Sequence, residues 1–80
     1  MTRAASLTID TNVGDRIFLF RQAHGMSQSE LSRRSGVNRT SVVFAENGRN
    51  VPRPSTLRKL AGAFGVTVEE FLNGEVPGRT

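Results

Sequence analysis

Apolar residues recur along this chain at intervals of three and four in five short stretches, the spacing that gathers side chains on one face of an α-helix. In the first stretch Val13, Ile17 and Phe20 follow a capping residue, Asn12, with Asp15 three positions on, and Gly25 marks the stop. The second opens on Ser27-Gln28-Ser29-Glu30. This is a capping box: the serine hydroxyl accepts from the amide three residues on, and the glutamate reaches back to the cap. Met26 and Leu31 supply its hydrophobic staple, and Gly36 ends it. The third is capped by Asn38, stapled by Val37 and Val42, and stopped at Gly48. In the fourth, Pro54 suits a first helical turn, and Leu57, Leu60, Ala61 and Phe64 form one stripe ending at Gly65. The fifth opens on a second capping box, Thr67-Val68-Glu69-Glu70, stapled by Val66 and Phe71 and closed by Asn73-Gly74. No strand pattern competes, apart from an extended piece readable at residues 7–9.

The pattern predicts an all-α protein with three parts: a flexible N-terminal arm (1–11), a helical domain (12–74) and a frayed C-terminal tail (75–80). Its most informative connection is Ser35-Gly36-Val37, between the second and third helices. A turn of about three residues holding a glycine sets two helices at a steep angle, which is helix-turn-helix geometry. Gly36 takes positive φ without steric cost, and Val37 plugs the corner.

Composition narrows the setting. Eighty residues make one small domain with a modest core. The absence of cysteine excludes a disulfide framework and thiolate metal sites. The longest apolar run, Ile17 to Phe20, is far too short to span a bilayer, and the start of the chain lacks the apolar region of a signal peptide. A soluble, cytoplasmic protein is expected. The net charge of +4 is unevenly spread: residues 1–32 sum to zero, 33–59 to +6 and 60–80 to −2. The central block holds seven basic residues against Glu46 alone. Such clustering suits a polyanion such as nucleic acid, although a solvated basic face reads the same way. Ten of the eleven basic residues are arginine, which forks onto phosphates and guanine edges better than lysine does. A GC-rich coding sequence would produce the same bias.

In order, the segments "MSQSELSRRSGVNRTSVVFAENG" and "TLRKLAGAFGVTVEEFL" resemble the lambda-repressor-like (Cro/repressor type) helix-turn-helix family. The likeness runs without gaps from about Val13 to Leu72. It implies a compact five-helix DNA-binding domain, with helices 2 and 3 as the helix-turn-helix. It also implies a transcriptional regulator that binds a roughly palindromic operator as a homodimer, with residues 38–47 as the recognition helix. On the matching positions Asn38, Arg39 and Thr40 would read base edges, while Gln28 and Asn47 would contact phosphates. Ser27, Arg49 and Arg53 are further phosphate candidates. Arg21 and Glu46 match a pair that forms an internal ion pair between helices 1 and 3 in several family members. A dimer interface is expected near the fifth helix, through Val68, Phe71 and Leu72.

Two places depart from the family pattern. On a helical wheel Val42, Ala45 and Glu46 face the bundle, while Thr40, Val43, Phe44 and Asn47 face away. Phe44 stands where the family often has a polar residue. Phe44, with Val43, suits apolar contact with a thymine methyl group; alternatively it folds over the helix edge beside the small Ala45, or receives a protein partner. Phe18 and Leu19 also lie off the helix-1 stripe, either for a dimer or protein partner or to pack beneath the arm through Leu7 or Ile9.

Catalysis finds no support. The one histidine, His24, closes helix 1 as a surface residue. Ser27, Ser35 and Ser41 are accounted for by helix and cap roles, and no phosphate-cradling loop, metal spacing or cofactor motif is present. The competing function is a protein-interaction module of the same fold, such as the antitoxin of a toxin–antitoxin pair or a bridging factor.

Overall fold

The computed structural model describes residues 9–77. Most of the expected arm (1–8) and the last three residues of the tail lie outside the described residues. Among those described are five α-helices and no strand: α1 (Ile9–His24), α2 (Gln28–Ser35), α3 (Arg39–Glu46), α4 (Pro54–Ala63) and α5 (Val68–Asn73). α1 packs against α3 and α5, α2 against α3 and α4, and α4 against α5.

The first helix begins earlier than its expected cap. Asn12 lies inside α1, residues 9–11 are helical rather than part of an arm, and Asp15 is not in the first turn. No proline or glycine separates residues 9–11 from the apolar stripe, so nothing local stops the helix from extending back. The stripes themselves meet in one core. Ile17, Phe20, Leu31, Val42, Leu60 and Phe71 are fully enclosed, and the rings of Phe20, Phe64 and Phe71 pack with centroids 5.2–5.8 Å apart. Val76, expected in a frayed tail, is also buried in this core. The chain leaves α5 extended at Gly74, and Val76 closes the base of the core.

Beyond α1, the two expected capping boxes differ. At α5 both halves of the box form: Thr67 Oγ1 accepts from the Glu70 amide, and the Glu70 carboxylate accepts from the Thr67 amide. At α2 only the serine half forms. The Glu30 carboxylate accepts instead from Arg33 at 2.5 Å and Arg34 at 2.7 Å.

The corner between α2 and α3 turns on Gly36, whose φ of +80° lies in the left-handed region. Val37 is buried beneath it. Two hydroxyls brace the turn: Ser32 donates to the Val37 carbonyl at 2.6 Å, and Ser35 accepts from the Val37 amide at 3.0 Å. The Val37 amide and carbonyl and the Gly36 amide, which donates to the Ser32 carbonyl at 2.9 Å, thus all have partners within the protein.

Candidate nucleic-acid interface

α3 is short, and its orientation is set from three sides. Val42 and Ala45 point into the core. Glu46, the single acid of the basic block, turns inward to Arg21, with oxygens 2.8 and 3.1 Å from the guanidinium nitrogens. The two side chains are 11% and 9% exposed. Arg21 also donates to the Met26 carbonyl at 2.8 Å, and the Gln28 amide donates to Glu46 at 3.3 Å. One carboxylate thus ties together α1, the start of α2 and the end of α3. The third side is a close approach of backbone. A Cβ on Gly14 of α1 would fall 2.7 Å from the Glu46 carbonyl oxygen and 2.9 Å from that of Ala45. Only a residue without a side chain lets α1 lie this near the end of α3.

The opposite face of α3 is open. Arg39, Thr40, Ser41, Phe44 and Asn47 are exposed, and Val43 is half-buried. Thr40, Phe44 and Asn47 follow at i, i+4 and i+7, so they form one continuous stripe. Asn38 sits at the tip, where its Oδ1 accepts from the Thr40 amide at 2.8 Å. Capping thus occupies the acceptor and leaves the side-chain NH₂ to donate. Ser27 likewise caps α2 through its oxygen and keeps its hydroxyl proton free. Gln28 is half-buried beside Glu46. Arg39, Arg49, Arg53, Arg58 and Lys59 are exposed and make no ion pair among the described residues. With Glu46 drawn inside, the outer surface of this block carries cations almost alone. A cavity of about 410 Å³ adjoins it, lined by Ser41, Ala45, Asn50, Val51, Pro52, Arg53 and Thr56 between α3 and the start of α4.

Phe44 neither folds into the core nor stands alone. It is 36% exposed, and the Arg49 guanidinium lies 5.2 Å from its ring centre. Phe18 is 45% exposed, with Arg21 5.6 Å from its ring centre. Its neighbour Leu19 packs partly against the core. Among the expected interface residues Phe71 needs correction. It is fully buried in the core of this chain, so no partner reaches it without opening the bundle. Val68 and Leu72 are half-buried. His24 is exposed, with its ring against Phe64 at 5.2 Å.

Arg16 is a residue that sequence reasoning missed. Its guanidinium donates to the carbonyls of Phe71 at 2.7 Å, Glu70 at 3.2 Å and Gly74, gripping the C-terminal end of α5. Burial lowers its pKa from the ordinary arginine value. No pattern of residue types announces such a contact, because its partners are backbone oxygens. Gly14 did carry a signal: a glycine inside a helical stripe marks a close approach.

The comparisons agree with this geometry. The sequence model described as helix-turn-helix matches residues 17–71. An HTH-type transcriptional regulator of Archaeoglobus fulgidus, otherwise uncharacterized, is 38% identical over 57 residues, covering 71% of this chain and 81% of its own length. The HTH-type transcriptional regulator PuuR of Escherichia coli is 32% identical over 60 residues, covering 75% of this chain and 32% of its own length. The crystal structure of a hypothetical transcription factor from Neisseria, NHTF, superposes with a TM-score of 0.79 at 30% identity. That superposition covers 96% of this chain and 86% of the Neisseria chain.

Proposed function

The chain belongs to the helix-turn-helix family of transcriptional regulators, and on that premise we propose that it is a cytoplasmic, sequence-specific reader of double-stranded DNA. α3 enters the major groove by its N-terminal end. Asn38, Arg39 and Thr40 meet base edges there, and Val43 and Phe44 offer apolar surface to thymine methyl groups. Ser27, Gln28, Asn47, Arg49 and Arg53 lie along the phosphates on either side, where they fix register without reading sequence. Free amides in the first turn of α2 favour a phosphate as well.

One observation carries this reading. The open stripe of α3 is bordered by cations that make no ion pair among the described residues, while the only acid of the block is spent inside the molecule on Arg21. A helix held so firmly from behind and left bare in front suits insertion into a groove. A domain this small buries little DNA, so useful specificity calls for a homodimer on a palindromic operator, its two recognition helices about 34 Å apart. Val68 and Leu72 on α5 are the proposed contacts between copies.

Selection of bound fragments from random duplex DNA by the purified chain tests DNA binding, base preference and half-site spacing together. A palindromic consensus is expected. In the selected site Arg39→Ala should cost about 1–3 kcal/mol and relax preference at one position of each half-site. An equal loss on every sequence would reassign Arg39 to the phosphates.

A further inference from the structure

α3 ends in a Schellman closure: the Arg49 amide donates to the Phe44 carbonyl at 2.8 Å and the Gly48 amide to the Ala45 carbonyl at 3.2 Å, with Gly48 at φ +77°. This backbone geometry sets the side chain after the glycine against the one five residues earlier, commonly as an apolar contact. α4 ends the same way, with the Val66 amide on the Ala61 carbonyl at 3.0 Å, and its pair is apolar and packed with the core. In α3 the same two positions hold Arg49 and Phe44. The guanidinium sits 5.2 Å from the ring centre, both residues are exposed, and Arg49 has no carboxylate partner among the described residues.

We propose that Phe44 is a positioning residue, a platform that holds the Arg49 guanidinium in place at the end of the reading helix for a phosphate of the DNA backbone. This rests on the DNA-binding reading above and gives Phe44 a role beyond methyl contact. A free arginine samples many rotamers and loses that freedom when it binds. Stacked on an aromatic face, the guanidinium is pre-ordered, and its planar edge still presents a fork of N–H donors that fits a phosphate. The Schellman closure supplies the register, so the platform lies within the chain's own turn and needs no third element. It accounts for an aromatic residue in the exposed stripe between Thr40 and Asn47.

The test is a double-mutant cycle of Phe44→Leu and Arg49→Gln on the selected duplex, with a spectrum of the free protein beside it. Leucine keeps apolar bulk for a methyl group and removes the π face. In the free native chain the Arg49 side-chain proton resonances should be shifted upfield by the ring and return to ordinary positions in Phe44→Leu. Arg49→Gln should reduce the slope of log affinity against log salt by about 0.9, one phosphate contact. Phe44→Leu should weaken binding roughly two- to fivefold when Arg49 is present and have no effect in the Arg49→Gln background. Equal losses in both backgrounds, an unchanged salt slope for Arg49→Gln, or unshifted Arg49 resonances would each overturn the platform. Shifted resonances in a chain that binds no duplex would instead locate the failure in the DNA reading.

Discussion

Arg16 and Arg21 stand five residues apart on α1, both with partly buried side chains, and each fastens a different helix. Arg21 meets a carboxylate, Glu46, and thereby holds α3. Arg16 meets only carbonyl oxygens at the end of α5, where the helix dipole concentrates partial negative charge. The first contact is punishing to break, because either partner left behind is a nearly buried charge. The second is spread over three oxygens that water can replace in part. The helix proposed to touch DNA is thus fastened by an ion pair, and the helix that closes the base by a guanidinium on backbone carbonyls.

The sharpest way to break this comparison is Arg21→Ala. It should cost about 3–5 kcal/mol in denaturant unfolding, with Glu46 stranded in a nearly closed site. Replacing both partners, as Arg21→Met with Glu46→Leu, should recover most of that loss, since the penalty belongs to the unpaired charge. If the double variant is as unstable as Arg21→Ala, the penalty does not belong to the unpaired charge.

A smaller effect is expected for Arg16→Ala, about 1–2 kcal/mol. Hydrogen exchange should place it in α5, with faster exchange of the Phe71 and Gly74 amides and unaltered α3. Equal acceleration in both helices would erase the distinction between the two arginines.

The two capping boxes repeat the lesson on a smaller scale. They share one motif, yet Glu70 completes its box and Glu30 does not. Glu30 has Arg33 and Arg34 one turn ahead, whereas Glu70 has Asn73 and Gly74. Ion pairs at i+3 and i+4 compete with the cap amide for the same carboxylate. Glu70→Ala should therefore cost about 0.5–1 kcal/mol and expose the Thr67 amide to exchange. Glu30→Ala should cost less and leave the Ser27 amide unchanged.

The last expected effect is in acid. The hydrogen bond from Arg34 is the main cause holding the Glu30 carboxyl below its usual pKa, helped by the charges of both arginines. Its folded value lies under its unfolded one, so its contribution is complete above the unfolded pKa and disappears as pH falls through the folded one. An NMR titration should show the Glu30 midpoint moving back toward the ordinary carboxylate value in Arg34→Gln. An unmoved midpoint would assign the effect elsewhere.

Much of the fold was legible because it is written locally. Gly25, Gly36, Gly48 and Gly65 all take positive φ at helix ends, and each staple pair and apolar stripe needs only residues a turn apart. The Arg21–Glu46 contact was legible through the family resemblance, and Glu46 stood out as the one acid of the basic block. The early start of α1 and the burial of Val76 were less legible, since neither has a local stop or start signal.

Composition and periodicity by themselves determined the helices, their order, the glycine corner and the basic middle, because propensity, capping and charge act over a few residues or none. Only the tertiary structure decided that Gly14 seats α1 on the end of α3, that Arg16 locks α5, and that Phe71 is closed to any partner. Contacts between a side chain and distant backbone depend on where helices cross. The backbone is chemically the same at every position, so residue identities alone do not record such meetings.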